Sequence, residues 1–388
     1  MEKVTEKIIN TGINDRDITL FEGQYALENG MAYNSYVILD EKVAVMDTVD
    51  AHVTDRWLDE LTEALDGRSV DYLVVQHMEP DHGGSIQQLA DRFPDMKIVL
   101  SAVAVRMLDQ FFDGNMQGRT LTVKEGDTLN LGSHTLQFYT AAMVHWPEVL
   151  VTYEQSEKVM FSADAFGKFG TRDADEDWTC EARRYYFNIC GKYGVQVQAL
   201  LKKLSGLDIS VICSLHGPVL TENLGYYIEK YDIWSRYAPE KEGVFIAYAS
   251  IYGHTKDAAL KLKELLENSG VKEVEICDLC REDMHEAVEN AFCYDRLVLA
   301  AVSYDAGLFP AMETFLHHLK AKNYQKRTVA LIENGSWGPC AAKEMKASLE
   351  AMKEITILEP TVTIKSAVKP ETVTQLEAMA AALAESGK

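Results

Sequence analysis

The feature that most constrains the fold is a regular alternation of apolar runs and amphipathic stretches in the C-terminal part of the chain. Strands that alternate with helices build parallel sheets, because each parallel connection has to cross the sheet and a helix makes that crossing. The sequence therefore predicts a doubly wound parallel sheet for this part of the chain. The predicted strands are 244–249, 273–278, 296–301, 328–332 and 356–358, and the predicted helices are 255–268, 284–290, 310–320, 341–352 and 371–385.

The N-terminal part shows a less regular mixture of strands and helices. Hairpins are predicted around Asp40–Glu41 and around 154–157, and an amphipathic helix is predicted over 53–65. A polar segment with a proline and a glycine, 237–243, separates this mixture from the regular alternation. We therefore predict two α/β domains, residues 1–240 and 241–388. The length of 388 residues suits two cores, since single cores stop growing at about 250–300 residues.

The charge balance limits the possible partners. The chain carries 60 Asp and Glu residues against 38 Lys and Arg, a formal charge of −22. Nucleic acid and anionic lipid bind basic surfaces, so we expect neither as a partner. We also expect no membrane span and a cytoplasmic location, because no apolar run is long enough and the N-terminus lacks a secretory pattern. The acidic segment 173–177 is expected to be a solvated loop rather than a docking patch.

A dense group of potential metal ligands follows the apolar run 71–76. His77, Glu79, Asp81 and His82 occupy alternate or adjacent positions within six residues. Pro80 bends the backbone there, so that imidazoles and carboxylates can converge. Imidazole and carboxylate without thiolate favour iron, manganese or zinc, and carboxylates that can bridge favour a pair of metals. A solvated, charged turn is the alternative interpretation of this segment on its own.

Three later residues strengthen the interpretation as a metal site. His145, Asp164 and His216 each stand at the end of an apolar run, where the ends of predicted strands meet. Any one of them alone is more typical of a hydrogen-bonded, half-buried residue than of a ligand. Four histidines and three carboxylates in the same kind of position are hard to explain by burial alone. The sequence therefore predicts a dinuclear metal centre.

The succession H-x-E-x-D-H, then H, D and H, resembles the metallo-β-lactamase fold in its flavodiiron protein form, and the resemblance covers both domains. It implies an N-terminal metallo-β-lactamase-like αββα sandwich followed by a flavodoxin-like doubly wound parallel sheet. In the hydrolases of that fold a histidine stands where this chain has Glu79, and the added carboxylate suits iron and redox chemistry better than zinc hydrolysis. The resemblance implies that His77, Glu79 and His145 bind one iron, that Asp81, His82 and His216 bind the other, and that Asp164 bridges them.

The segment after the first strand of the C-terminal domain is typical of a phosphate-binding loop. Hydroxyls and free amides at a helix N-terminus bind phosphate, although a simple connection capped by Thr255 is the alternative. The segment resembles the flavodoxin loop S/T-x-Y/F-G-x-T, which implies FMN as cofactor, and two loops after later strands supply ring platforms and close backbone approach. The predicted FMN-binding residues are Ser250, Ile251, Tyr252, Gly253, His254, Thr255, Ser303, Tyr304, Asp305, Ala306, Gly307, Asn334, Gly335, Ser336 and Trp337.

The resemblance implies a flavodiiron oxidoreductase. FMN would pass electrons from a donor protein to a diiron centre that reduces O2 to water, NO to N2O, or both, as detoxification in an anaerobe. We expect a head-to-tail homodimer, or a dimer of dimers, and a separate donor such as rubredoxin, ferredoxin or a reductase. Two alternatives stay open: a dinuclear zinc hydrolase, which Glu79 and the flavin loops oppose, and a catalytically silent electron carrier or sensor, which the complete ligand set opposes.

Overall fold

The structure, a computed structural model, describes residues 1–113 and 116–387 and divides into two compact units. The first consists of Met1–Tyr185 and Val195–Asp232, and the second of Tyr186–Gly194 and Ile233–Lys388. The division therefore falls a few residues before our predicted boundary. A short segment of the N-terminal part, Tyr186–Gly194, belongs to the second unit. Within that unit Phe187 of this segment stacks on Phe292, with ring centroids 4.1 Å apart, which explains why the segment is assigned there.

The first unit is an αββα sandwich. One sheet has the strand order β1-β2-β7-β8-β9-β10-β11 and the other the order β12-β13-β14-β15-β16. The strands are β1 Glu2–Lys3, β2 Ile8–Asn10, β3 Ile13–Asp15, β4 Leu20–Phe21, β5 Tyr25–Ala26, β6 Met31–Tyr33, β7 Tyr36–Leu39, β8 Val43–Met46, β9 Tyr72–Val74, β10 Lys97–Ser101, β11 Thr120–Val123, β12 Thr128–Asn130, β13 Thr135–Thr140, β14 Leu150–Glu154, β15 Val159–Phe161 and β16 Val211–Cys213. The helices are α1 Thr54–Leu65, α2 Pro80–Gly83, α3 Ile86–Arg92, α4 Ala102–Phe111, α5 Trp178–Tyr185, α6 Gly194–Leu204 and α7 Leu224–Ser235.

The two sheets of the sandwich share one core. Ile38 and Val99 of the first sheet pack with Phe138 and Phe161 of the second, and all four side chains are fully buried. The alternation of side chains along each strand leaves one face of each sheet for this core. The other face of the first sheet is covered by helices such as α1, whose Trp57 is completely buried.

The second unit is a doubly wound parallel sheet with the strand order β18-β17-β19-β21-β22. This is the flavodoxin order 2-1-3-4-5, in which ligands bind at the carboxyl ends of the central strands. The strands are β17 Lys241–Ala249, β18 Val274–Asp278, β19 Tyr294–Tyr304, β20 Gly307–Leu308, β21 Gln325–Asn334, β22 Lys353–Ile357 and β23 Val362–Ile364. The helices are α8 His254–Asn268, α9 Met284–Cys293, α10 Pro310–Ala321, α11 Ala341–Glu350 and α12 Pro370–Ser386.

Both faces of this sheet are buried. Val244 and Ile246 pack against α8 and α12 in one core cluster, while Phe245 and Ala247, which point the other way, are equally inaccessible. The predicted fifth strand, 356–358, overlaps only the end of β22, and two short strands share the edge position beside β21. β22 pairs with the first half of β21, and β23, which we did not predict, pairs with its last residues.

The acidic segment 173–177 is only in part the solvated loop that we expected. Glu176 forms an ion pair with Lys168, whose side chain is 3% exposed, and accepts a hydrogen bond from Asn29 Nδ2 at 2.5 Å. Asp173 pairs with Arg16 at 2.5 Å. Asn29 and Arg16 are distant in sequence, so local composition could not reveal them. No helix in the described parts of the chain is long and apolar enough to cross a membrane.

Candidate metal centre and flavin site

The seven predicted metal ligands lie together at the carboxyl ends of strands. β9 leads to His77 and to α2, β15 leads to Asp164, and β16 leads to His216. Strands β8, β9 and β10 run parallel, as do β15 and β16, so the ends of these strands reach the same side of the sandwich. His145 arrives in the connection between β13 and β14.

Three of the predicted ligands form a first cluster with one oxygen of Asp164. Glu79 Oε2 lies 3.1 Å from His77 Nε2 and 2.9 Å from His145 Nε2. Asp164 Oδ2 lies 3.4 and 3.2 Å from the same two nitrogens. Four ligand atoms therefore converge on one small volume.

The remaining three predicted ligands form a second cluster on the other oxygen of Asp164. Asp81 Oδ2 lies 3.2 Å from both His82 Nε2 and His216 Nε2. Asp164 Oδ1 lies 3.0 Å from His82 Nε2 and 3.8 Å from His216 Nε2. Asp164 thus offers one oxygen to each cluster, which is the arrangement a bridging carboxylate requires.

The hydrogen bonding of this region fits metal ions. Both carboxylate oxygens of Asp81 and Asp164, and Nε2 of His82 and His216, are buried and make no hydrogen bond within the described residues. Buried polar atoms of that kind are rare and costly in a folded protein unless something else satisfies them. The ligand atoms of each cluster lie within 4.8 Å of one another, close enough to surround one ion. The donor set of imidazole and carboxylate suits iron.

The electrostatics of the cluster also call for cations. Burial by itself would lower the pKa of His145, but the carboxylates of Asp164 and Glu79 raise it to about 9. The pKa of His77 is raised as well: burial would lower it, but the charge and the hydrogen bond of Asp164 raise it more. Burial would raise the pKa of Glu79, yet His145 and His77 lower it to about 2. In the metal-free protein, a proton on His145 therefore takes the place of a cation at neutral pH.

Sequence reasoning missed several residues that support the ligands. Asp47, at the end of β8, accepts hydrogen bonds from the backbone N–H groups of Gln76 and His77 at 2.7 and 3.3 Å. Glu148, three residues beyond His145, accepts a hydrogen bond from His77 Nδ1 at 2.8 Å. A carboxylate directly after a buried strand and another beside a predicted ligand were the only signals available in the sequence.

The three predicted flavin loops lie at the carboxyl ends of β17, β19 and β21. Gly253 adopts φ +98° and precedes α8 without a side-chain cap, so the first amides of the helix are free to bind a phosphate. Thr255 is therefore inside the helix and is not its N-cap. Its hydroxyl accepts a hydrogen bond from Asn334 Nδ2 at 3.3 Å, which joins the first and third loops.

The second and third loops are joined by Ser303. Its hydroxyl accepts the backbone N–H groups of Cys340 and Ala341, at 2.8 and 3.0 Å, at the start of α11. In the third loop Ser336 shares a hydrogen bond with Ser366 at 2.7 Å. Ser250 Oγ accepts the backbone N–H of Gly253 within the first loop at 3.2 Å, and the carbonyl oxygen of Gly307 accepts from Cys340 Sγ at 3.5 Å. Among the described residues, the other predicted ones make no hydrogen bond to another of the three loops: Ile251, Tyr252, His254, Tyr304, Asp305, Ala306, Gly335 and Trp337.

Large aromatic side chains stand unusually open around these loops. Tyr252 is 90% exposed and Trp337 is 87% exposed, whereas Tyr304 is 44% exposed and packs edge-on against Phe309. Exposed aromatic side chains of this size, beside a helix N-terminus with free amides, fit a flat aromatic ligand that carries a phosphate.

Comparisons with known proteins define the class. Residues 31–217 match the model of the ODP family of β-lactamases. The solved structure of rubredoxin oxygen:oxidoreductase from Desulfovibrio gigas superposes with a TM-score of 0.92 at 25% identity, and covers 99% of this chain and 98% of its own. The flavodiiron protein from Giardia intestinalis superposes with a TM-score of 0.89 at 23% identity, over 100% of this chain and 98% of its own. The chain is thus a β-lactamase-type metal domain joined to a flavodoxin-type domain.

Relatives in sequence agree with that class. A diflavin flavoprotein A 1 from Synechocystis is 31% identical over 74% of this chain, and the anaerobic nitric oxide reductase flavorubredoxin of Vibrio vulnificus is 26% identical over 87% of it. The aligned region is 51% of the first relative and 70% of the second, so the chain spans about half the length of the diflavin flavoproteins it matches. The chain belongs to the flavodiiron proteins, whose cofactors are FMN and a diiron centre.

Proposed function

We propose that this chain reduces O2 to water, NO to N2O, or both, with electrons that arrive through FMN from a separate donor protein. The observation that carries the proposal is Glu79. Its carboxylate lies with His77 and His145 around one ligand cluster, so a hard oxygen donor occupies the place of the hydrolases' histidine. When bound, the FMN supplies electrons one at a time, and the two irons supply a place where the oxidant is held and reduced.

The two ligand clusters support a specific assignment of the irons. We propose that His77, Glu79 and His145 hold one iron, because their atoms converge with one oxygen of Asp164. The second cluster, with the other oxygen of Asp164, would hold the second iron. Its members are Asp81, His82 and His216.

Aromatic side chains surround the second cluster. The rings of Phe21, Tyr33 and Tyr185 contact His216 with centroid distances of 5.7, 6.1 and 5.4 Å. Burial, and next the charge of Asp81, raises the pKa of Tyr33, and burial and nearby carboxylates raise that of Tyr185. Both phenols therefore stay protonated at neutral pH and can donate a hydrogen bond to a bound oxidant. The burial of Asp81 and Asp164 also strengthens the fields of these carboxylates.

We propose that the three loops at the ends of β17, β19 and β21 bind FMN. The first loop, 250–255, would take the phosphate at the start of α8, and the loops 303–307 and 334–337 would flank the ring. Tyr252 and Trp337 offer exposed apolar surface at the edge of these loops, which a second chain can cover together with the flavin; this supports a head-to-tail homodimer in which each flavin faces the partner's metal centre.

The proposal is tested by purifying the chain without oxygen and determining iron, zinc and FMN per chain. O2 and NO consumption is then followed with reduced rubredoxin as donor. We expect iron, FMN and consumption of at least one gas, and we expect an Asp164→Asn variant to lose consumption together with iron. Zinc without flavin would favour the hydrolase, and both cofactors without turnover would favour a carrier or sensor.

A further inference from the structure

A buried carboxylate stands directly behind one of the proposed iron ligands. Glu148 Oε1 accepts hydrogen bonds from His77 Nδ1 at 2.8 Å and from the backbone N–H of Met78 at 2.9 Å. The side chains of Glu148 and His77 are both fully buried. The backbone carbonyl of Glu148 is held in turn by the Ser101 hydroxyl at 2.9 Å, which fixes the position of the residue.

These contacts define the tautomer of His77. An amide N–H can only donate, so the oxygen that receives it from Met78 is an acceptor, and His77 Nδ1 must carry the proton that it gives to the same oxygen. Nε2 of His77 is therefore the nitrogen that would bind a metal, and it faces Glu79 and Asp164, where the first cluster converges. A hydrogen-bonded carboxylate of this kind makes the opposite nitrogen a stronger metal ligand.

Among the described residues, no carboxylate accepts a hydrogen bond from Nδ1 of a histidine in the second cluster. His216 Nδ1 lies 2.8 Å from a neutral group, the carbonyl oxygen of Ala32. His82 Nδ1 is buried and makes no hydrogen bond to any described residue. One terminal carboxylate belongs to each cluster, Glu79 to the first and Asp81 to the second, so their formal charges are alike. The difference in charge around the two metal positions therefore comes from the groups that accept hydrogen bonds from Nδ1 of the histidines.

Burial of Glu148 is costly, which argues for a role beyond packing. A carboxylate removed from water loses several kcal/mol of solvation, by order of magnitude, unless partners replace it. Its second oxygen, Oε2, is buried and has no hydrogen-bond partner in the described parts of the chain. The positive charge that a metal places on His77 would compensate this carboxylate.

We propose that Glu148 is a positioning residue that makes the two irons unequal. Through His77 it stabilises the ferric state of the iron in the first cluster more than the ferric state of the iron in the second. This inference rests on the proposed assignment of the ligands to two irons. It does not depend on whether the oxidant is O2 or NO.

Glu154 offers a matched control. It is also a completely buried carboxylate, and it lies at the end of β14, which Glu148 precedes. Its oxygens accept backbone N–H groups of the neighbouring turn, such as those of Ser156 and Glu157 at 2.9 and 2.7 Å. It makes no hydrogen bond or ion pair with a proposed ligand in the described parts of the chain, and it belongs instead to a separate group of possible ligands with His134 and Glu157. Glu154→Gln therefore reports the cost of changing a buried carboxylate away from the two proposed irons.

The test compares wild type, Glu148→Gln, Glu148→Ala and Glu154→Gln after reconstitution with iron. Chelator competition measures the affinity for each iron, and a spectroscopic redox titration without any gas measures the two reduction potentials. Glutamine can still accept from His77 but carries no charge, so we expect both irons to stay bound. The ferric-to-ferrous preference of one iron should fall about tenfold, which is 59 mV for one electron. Glu148→Ala should lose about 10- to 100-fold in affinity for one of the two irons.

Unchanged potentials in Glu148→Gln, or an equal shift in Glu154→Gln, would overturn the inference. Circular dichroism melts of all variants separate unfolding from loss of metal, and the glutamine variant, which keeps the shape of the side chain, guards against a misfolded alanine variant. Potentials are read without O2 or NO, so a failure of the proposed function appears only in turnover. The chelator competition is repeated with zinc, so the affinity difference can be read even in a chain that prefers zinc.

Discussion

Metal binding to this chain should be strongly dependent on pH, because protons occupy the metal-free site. His145 has a pKa of about 9 there, with a side chain only 10% exposed. A metal binds the deprotonated imidazole, so at pH 7 it must first displace a proton. Two pH units below the pKa, that displacement costs about 2.7 kcal/mol.

The sign and size of the effect follow from that value. Between pH 7 and pH 8 the affinity of the first cluster should rise about ninefold from His145 alone, and above pH 9 it should level off. A histidine with an ordinary pKa near 6.5 would give only about a 1.3-fold rise over the same interval. His77 is shifted upward as well, and it makes the rise steeper. Glu79, with a pKa of about 2, is already ionised and releases nothing.

Anaerobic calorimetric titration of the metal-free protein with ferrous iron provides the assay. Repeating it in two buffers of different ionisation enthalpy counts the protons released per metal. We expect at least one proton per chain at pH 7, and fewer in His145→Gln. His317→Gln, which changes an exposed histidine of α10 outside the described groups of possible ligands, should leave the count unchanged. An affinity that is equal at pH 7 and pH 8 would refute the electrostatic reasoning.

Three further changes test other parts of the account. Glu79→His should raise the ratio of bound zinc to bound iron at least about tenfold in competitive loading, because it restores the softer ligand set; an unchanged ratio would count against Glu79 as the discriminating ligand. Lys168→Met should lower the free energy of unfolding by about 2–3 kcal/mol in urea, since it leaves Glu176 without its buried partner, and a loss below about 0.5 kcal/mol would contradict this. Ser303→Ala should weaken FMN binding about fivefold, as measured by flavin fluorescence, because it releases two amides at the start of α11; unaltered binding would exclude that role.

The C-terminal fold could be predicted well because its information is local. Apolar strands such as β17 and amphipathic helices such as α8 can be recognised from the pattern of apolar residues along the sequence. A parallel sheet follows from the alternation of such strands and helices. The short strand β23 was missed because its three residues show no period of their own. The assignment of Tyr186–Gly194 to the second unit was missed because the stacking of Phe187 on Phe292 joins positions about a hundred residues apart.

The candidate metal centre shows the same limit. The seven ligands could be proposed from sequence, because each is a polar residue at the end of an apolar run. The residues that orient these ligands could not be predicted from the sequence. Asp47 looked like any acid after a strand, and Glu148 could not be told from a surface residue until its hydrogen bond to His77 was seen. In the flavin domain Thr255 resembled a helix cap, but the helix begins at His254 and its N-cap is Gly253.

The most direct test of the account is a single mixing experiment with the fully reduced chain. Protein loaded with FMN and iron is mixed with NO, and in a second run with O2, and the return of oxidised flavin absorbance is recorded. Protein loaded with FMN alone is the matched control, since reduced flavin reacts with O2 without iron. We predict that reoxidation by at least one gas is much faster when iron is present. Equal rates with and without iron, for both gases, would contradict the account.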